Sequence, residues 1–444
     1  MANFSSLNGI SCDSISSVNG TSKSSINNVD GLETCDSSAA MTRLVAFFAG
    51  RYSWASYPSD VDDLTTWKNE PSDDPAGNMK LAGGHYETSD EARGCAYGKD
   101  GSGNPMYCVV IQDTGNVRVM TITHAAMTSN SAMTQVDTDP DPGEVETSRR
   151  MVAWGNDVWV ATGDLATDGD KVPYLLRSTD GSTWSRMNIN TLTDILPADN
   201  GGQGESNNSF LQALTSDGAG NWWMAVGSKI YKSSDNASTW ALEYTLDIGG
   251  DAGGCGIREL INTNGILVCV YHYNDGVQSQ ARVVAAPTSN TSTGWGMPVH
   301  LSSGGTDMNE DNTCAHATGG TGQCGRRMAA ATYGGVSRVV VADNKRVLPF
   351  NVSTSGGVGV VTIVGPVSAI QVKNGGAYKL ASVVTDGEGT WWAGSKGPES
   401  GKFGRIYKST DNGVTWAIAV PASESDPAIN KKICAMVVDR YLPL

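Results

Sequence analysis

Short runs in which apolar and polar residues alternate at a period of two recur along the chain. Tyr174-Leu-Leu-Arg177, Lys229-Ile-Tyr-Lys232 and Arg405-Ile-Tyr-Lys408 are of this kind. Successive side chains of a strand point to opposite faces, so these runs predict strands with two different surroundings. Each leads into an Asp-Gly or Asp-Asn step, which tolerates positive φ and closes a hairpin. A second kind of run lies upstream. Ala213-Leu-Thr-Ser-Asp217-Gly-Ala-Gly-Asn-Trp222-Trp223-Met-Ala-Val-Gly227 closely matches Ser382-Val-Val-Thr-Asp386-Gly-Glu-Gly-Thr-Trp391-Trp392-Ala-Gly394, and Met151 to Gly163 is a looser version. These predict an inner hairpin whose small residues suit crowded strands, with one Trp of each pair in a core.

The turns themselves share a pattern: Ser/Thr-x-Asp and, four or five residues on, a Trp preceded by Thr. It is clearest in Ser178-Thr-Asp180-Gly-Ser-Thr-Trp184, Ser233-Ser-Asp235-Asn-Ala-Ser-Thr-Trp240 and Ser409-Thr-Asp411-Asn-Gly-Val-Thr-Trp416. The carboxylate can accept backbone N–H groups across the turn, and the Trp can cover it from water. Weaker copies are Thr288-Ser-Asn290 with Trp295, Thr128-Ser-Asn130 with Gln135, Asp60-Val-Asp62 with Trp67 and Ser353-Thr-Ser355 with Val360. This pattern resembles the Asp-box, or bacterial neuraminidase repeat, of β-propellers. The resemblance implies structural roles for Asp180, Trp184, Asp235, Trp240, Asn290, Trp295, Asp411 and Trp416. It implies no chemistry, because the box shapes a hairpin.

The Trp-equivalent positions 67, 135, 184, 240, 295, 360 and 416 mark units each long enough for four strands and their loops. Lys432-Ile-Cys-Ala-Met-Val-Val-Asp439 reads as an innermost strand and Arg43-Leu-Val-Ala-Phe-Phe-Ala49 as its neighbour. Pairing them would close a ring without an inner edge. The expectation is therefore an all-β, seven-bladed β-propeller of Asp-box type over residues 41–444, preceded by a short, extended, turn-rich attachment segment over 1–40.

Composition changes this picture only at its margins. The 53 glycines and 17% charged residues of the 444-residue chain fit a turn-rich all-β protein. A net charge of −15 repels phosphate backbones, so nucleic acid is not an expected partner. No stretch has membrane-spanning length, and no membrane insertion is expected. Nine cysteines without a CxxC pair read as buried thiols. The alternative is one or two disulfides among Cys95–Cys108, Cys255–Cys269 and Cys314–Cys324.

The first forty residues differ. Leu7-Asn-Gly-Ile, Val18-Asn-Gly-Thr and Val29-Asp-Gly-Leu recur every eleven residues. They predict very short strands around Asn-Gly and Asp-Gly turns. So polar a unit cannot bury a core of its own, which points to docking on something larger. Ser14-Ile-Ser-Ser-Val-Asn-Gly20 and Ser25-Ile-Asn-Asn-Val-Asp-Gly31 resemble repeats of tailed-bacteriophage structural proteins. That resemblance implies a tail or fibre component that binds other virion proteins through residues 1–36 and presents the remainder outward to a host-surface glycan or receptor, as one of several copies in the particle. The opening Met1-Ala-Asn-Phe-Ser has no charged start and no apolar run. The expected location is accordingly a virion assembled in a host cytoplasm.

Candidate chemistry is sparse. Sialidases resemble one another in an early Arg-Ile-Pro motif and an arginine triad, whereas Arg43-Leu-Val-Ala lacks the Pro and nothing groups Arg149, Arg150, Arg258, Arg326 and Arg327. A glycosidase needs two opposed carboxylates, and no pair stands out among the acidic residues. Asp307-Met-Asn-Glu310-Asp311-Asn-Thr-Cys314-Ala-His316 matches no standard metal loop and reads as an acidic surface loop. The expectation is a binding protein without catalysis, cofactor or metal, with a carbohydrate-active hydrolase on the same scaffold as the alternative. Function is expected in the segments 69–91, 190–209, 300–326 and 419–430. The binding candidates are Asp307, Glu310, Asp311, His316 and Trp295.

Overall fold

The computed structural model describes residues 42–48, 51–57, 91–113, 116–128, 133–136, 152–167, 170–187, 211–249, 256–274, 279–303, 328–343, 346–365, 368–369, 380–395, 404–420 and 433–439, together with short strands near the N-terminus and at 68–69 and 306–307. It falls into two units, 1–42 and 43–444.

The larger unit is a ring of antiparallel sheets. Alternating runs pair with their sequence neighbours, so strand order within a sheet follows the chain. The 211–245 sheet is typical, with strands Leu211–Ser216, Trp222–Val226, Lys229–Ser233 and Ala241–Thr245 in that order. The same arrangement builds sheets at 91–135, 152–187, 256–300 and 380–420. In one further sheet Ile433–Val438 is the inner strand, followed by Thr42–Phe48, Arg51–Tyr57 and Lys68–Asn69. The expected pairing of the C-terminal strand with the 43–49 run is present, in the register Met436↔Ala46, Val437↔Val45.

The architecture is an all-β propeller, but it has six four-stranded blades and not the seven expected. The sheet at 328–369 does not have that form. There the third strand, Arg346–Ser355, shares its outer edge between Val358–Ile363 and Ser368–Ala369, giving five strands. The sequence between the two is Val364-Gly365-Pro366-Val367, and a proline has no N–H to give a ladder. The weak turn copy assigned to Ser353-Thr-Ser355 also fails here. Ser355 is joined to Val358 by Gly356 and Gly357 at φ +58° and +81°, a tight Gly-Gly hairpin instead.

The core is divided into separate layers, one between each pair of adjacent sheets. Trp222 packs with Val160, Leu175 and Tyr231 on one side, while Trp223 packs with Leu260, Leu267 and Tyr271 on the other. Trp391 and Trp392 divide in the same way. One Trp of each pair was expected in a core, yet all four are fully buried. Period-two alternation separates two faces, but in a ring both faces meet a neighbour. Burying a side chain of this size is worth about 3 kcal/mol or more, so these pairs are principal fasteners between sheets.

The smaller unit carries three two-stranded hairpins. Leu7 pairs with Ile10, Val18 with Thr21 and Val29 with Leu32, each around the expected Asn-Gly or Asp-Gly step.

Candidate binding face and axial cavity

The ends of the inner strands set the geometry. Tyr97, Trp154, Ser216, Thr385 and Val438, each at or near the end of its inner strand, line one cavity, so these strands run the same way. In such a meander, the first-to-second and third-to-fourth turns fall on one face of the ring. The connections from a fourth strand to the next inner strand fall on the opposite face. The segments 69–91, 190–209, 300–326 and 419–430 all join strand ends on that second face.

The first face is built from short, self-satisfied turns. Asp180 Oδ1 accepts the Ser178 hydroxyl at 3.0 Å and the N–H groups of Ser182 and Thr183 at 2.8 and 2.7 Å. Asp411 Oδ1 accepts the Ser409 hydroxyl at 2.7 Å and the Thr415 N–H at 2.8 Å, while Thr415 Oγ1 donates to Oδ2 at 2.6 Å. Asp235 repeats this with Ser233, Ser238 and Thr239. Burial alone would raise the Asp235 carboxyl, but the hydrogen bonds from Thr239, Ser233 and Ser238 outweigh it and hold it at about 2. The indoles of Trp184 and Trp416 donate back to the carbonyls of Gly181 and Gly413, both at 3.0 Å. Trp240 is buried in the layer it shares with Trp222. At Asn290 the side chain accepts from the Thr293 hydroxyl at 2.9 Å. Trp295 donates to the Thr291 carbonyl at 2.7 Å and stacks on Tyr244 with centroids 5.3 Å apart, so its ring is engaged within the protein.

Three of these turns also tie their sheet to the one before it. Arg177 Nε donates to the Asn236 carbonyl at 2.9 Å, Arg338 Nη1 to the Asn412 carbonyl at 2.8 Å, and Trp223 Nε1 to Thr291 Oγ1 at 3.3 Å. A second carboxylate turn recurs closer to the axis. Asp217 Oδ1 accepts from the N–H groups of Ala219 and Asn221, and Asp386 Oδ1 from those of Glu388 and Thr390. Asp100 does the same with Ser102 and Asn104. The sequence reading compared the Asp217 and Asp386 segments but missed Asp100, whose following residues, Gly-Ser-Gly-Asn, carry the same spacing.

Of the binding candidates, Asp307 falls in the short strand Thr306–Asp307, paired with Ser302–Ser303. Glu310, Asp311 and His316 lie outside the described residues, as do Arg149, Arg150, Arg326 and Arg327. So do the turn copies at Asp60–Trp67 and at Asn130. The structure thus brings together the turn residues, each with its own neighbours, and places Trp295 in a packed layer. Among the described residues no group of three His, Cys, Asp or Glu side chains is arranged to hold a metal ion. Cys95, Cys108, Cys269 and Cys434 are buried and form no disulfide among the described residues.

One polar cluster escaped the sequence reading altogether. Where Asp439 follows the inner strand of the closing sheet, its Oδ1 accepts the Arg43 N–H at 2.6 Å and its Oδ2 accepts the Tyr107 hydroxyl at 2.9 Å. Arg43 Nη1 donates to His124 Nδ1 at 2.9 Å, and that nitrogen lies 3.7 Å from Asp439 Oδ2. Tyr97 packs on Tyr107 with ring centroids 5.2 Å apart. Burial raises the Asp439 carboxyl, against the pull of the Arg43 and Tyr107 hydrogen bonds. Burial and then the Arg43 charge lower His124. The clue was available: Val-Val-Asp439 ends its inner strand as Ser-Asp217 and Thr-Asp386 end theirs.

No protein-family model matches the chain, and no curated protein matches it in sequence. Solved structures do share the fold. A protein from Lactobacillus plantarum is similar over 90% of this chain and 99% of its own, with 10% identity and a TM-score of 0.53. The fucose-recognising lectin of Aleuria aurantia, a six-bladed β-propeller, is similar over 76% of this chain and 97% of its own, with 14% identity and a TM-score of 0.39. A candidate glycosidase from Bacteroides thetaiotaomicron is similar over 63% and 87%, with 11% identity and a TM-score of 0.31. At these identities the likeness shows the β-propeller fold and nothing of activity.

Proposed function

We propose that the chain is a bacteriophage structural protein of the tail or a fibre, which docks through residues 1–36 and presents its propeller to a protein or a host-surface glycan without catalysis. The observation that carries the binding half of this reading is the division between the two faces. The described turns of the turn face are short, and the carboxylates of Asp180, Asp235 and Asp411 accept hydrogen bonds from their own turns. The strand ends joined by the segments 69–91, 190–209, 300–326 and 419–430 lie on the other face, and connections on a rigid scaffold are where binding surfaces are found. The docking half is supported by three hairpins repeating at eleven residues, around steps that resemble those of phage structural proteins.

Mass spectrometry of purified particles tests the placement, with the full chain expected in stoichiometric amount. Deleting residues 1–36 is expected to abolish incorporation while leaving a folded propeller; incorporation at the normal level would overturn the docking role. For the binding half, the full chain immobilised on a surface is expected to capture host polysaccharide reversibly and release it unaltered. Shortened polysaccharide in the eluate would replace this reading with a hydrolase.

A further inference from the structure

On its axis the ring leaves a partly open cavity of about 110 Å³, with walls from the inner strand of every sheet in the ring. Apolar cavities of roughly 150 Å³ take up a benzene-sized ring, so this space is of the right order for six to eight heavy atoms. Its lining is aromatic on one side, at Tyr97 and Trp154, and aliphatic on the other, at Ile261, Ala330, Val383 and Val437. No charged side chain contributes to the wall.

The polar side chains of the wall are committed elsewhere, except Tyr97 and Trp154, whose indole Nε1 is buried without a hydrogen-bond partner among the described residues. Thr215 Oγ1 accepts the Asn262 N–H at 3.3 Å. Ser216 Oγ donates to the Asn221 carbonyl and accepts the Gly218 N–H, both at 3.1 Å. Thr385 Oγ1 donates to the Thr390 carbonyl at 2.8 Å and accepts the Gly387 N–H at 3.1 Å. The Cys95 thiol donates to the Met436 carbonyl at 3.1 Å. Tyr97 is held by its ring against Tyr107, and its hydroxyl makes no hydrogen bond with any described residue. Burial and the nearby Asp439 carboxylate push its ionisation up to about 12, so it stays a neutral donor at physiological pH.

We propose that this axial cavity binds one small uncharged molecule, a single apolar ring carrying one hydroxyl or carbonyl oxygen, anchored by the Tyr97 hydroxyl. A charged ligand would be desolvated with no counter-charge in the wall, at a cost of several kcal/mol. A sugar fits no better. Two free donors, the Tyr97 hydroxyl and Trp154 Nε1, leave most of its hydroxyls unpaired, and each unpaired group costs about 1–3 kcal/mol. The site is therefore separate in place and in ligand class from the loop face.

Met328 and Met436 line the cavity and report on it. With methyl-labelled methionine in the full chain, and these two resonances assigned through Met328→Leu and Met436→Leu, cyclohexanone is expected to shift both saturably. Benzoate and cyclohexylammonium are expected to bind at least about tenfold more weakly, and methyl glucoside likewise. Tyr97→Phe, which keeps the ring packing, is expected to weaken cyclohexanone about tenfold and to leave toluene binding unchanged. No saturable shift with cyclohexanone, equal binding of the charged probes, or an unaltered cyclohexanone affinity in Tyr97→Phe would each overturn the proposal.

Discussion

Asp217 and Asp439 each follow the inner strand of their sheet and each accept backbone N–H groups there, but the chain connects their surroundings in opposite ways. After Asp217 the chain turns through Gly-Ala-Gly and pairs with itself, so every partner of the carboxylate lies within four residues. After Asp439 the neighbouring strand begins at Thr42, and the carboxylate reaches Arg43 across 396 residues and Tyr107 across 332. Asp217 is half-buried, whereas Asp439 is 8% exposed. A local turn recovers a carboxylate's hydrogen bonds from water at little cost if they are lost. At the seam, the same group spares a buried N–H and a buried hydroxyl from having no partner, and it helps close the largest loop in the molecule.

The sharpest way to break this comparison is to remove each carboxylate in turn. Asp439→Ala is expected to destabilise the propeller by about 3 kcal/mol, and Asp217→Ala by about 1 kcal/mol, in chemical denaturation. Equal losses would show that connectivity does not matter. The continuous turns keep their stability in backbone geometry instead. Gly181 has φ +70°, and a Cβ there would lie 2.5 Å from Met106 Sδ. Gly181→Ala is accordingly expected to cost about 2 kcal/mol.

A gain is expected where a turn is incomplete. The Asn221 amide donates to Asp217 Oδ2 at 2.6 Å and the Asn104 amide to Asp100 Oδ2 at 3.0 Å. Thr390 holds the same place beside Asp386, and Asp386 Oδ2 is buried without a hydrogen-bond partner among the described residues. Thr390→Asn is expected to stabilise by about 1 kcal/mol, read as a higher denaturation midpoint. A lower midpoint would mean that Thr390 is fixed by its packing.

The smallest effect is a pH dependence confined to the seam. Arg43 donates to His124 Nδ1, and Tyr107, Tyr97 and Asp439 complete the surroundings. The folded His124 titrates below its usual value of about 6.5, so the unfolded chain binds more protons in that interval. Stability present above pH 6.5 is then lost as the pH falls through the folded value. Asp439, raised by burial, has the opposite slope at lower pH, where the folded state holds the extra proton. His124→Gln is expected to reduce the difference in stability between pH 8 and pH 5.5. An unchanged difference would remove His124 from the seam's electrostatics.

Much of the fold was legible because it rests on local rules. Period-two runs, Asp-Gly and Asp-Asn steps and the eleven-residue spacing near the N-terminus each dictate a hairpin from residues a few positions apart. The sheet at 328–369 was misjudged because its outer edge depends on which strand fills the gap beside Arg346–Ser355, and spacing alone does not report that. The Trp pairs were half misjudged for a related reason. Alternation shows that Trp222 and Trp223 face opposite ways, but only the ring shows that both directions are interior. The candidate site was less legible still: Tyr97, His124 and Asp439 lie far apart in sequence, and no short motif contains them.

What the sequence by itself determined is the strand, the turn and their repetition, since these follow from side-chain alternation and from which residues tolerate a positive φ. Closure decided the rest. Only when the sheets stand around a common axis do both faces of each become core, does Asp439 find Arg43 and Tyr107, and does a cavity form with one free hydroxyl. Those properties depend on distances between residues that the chain order leaves unrelated.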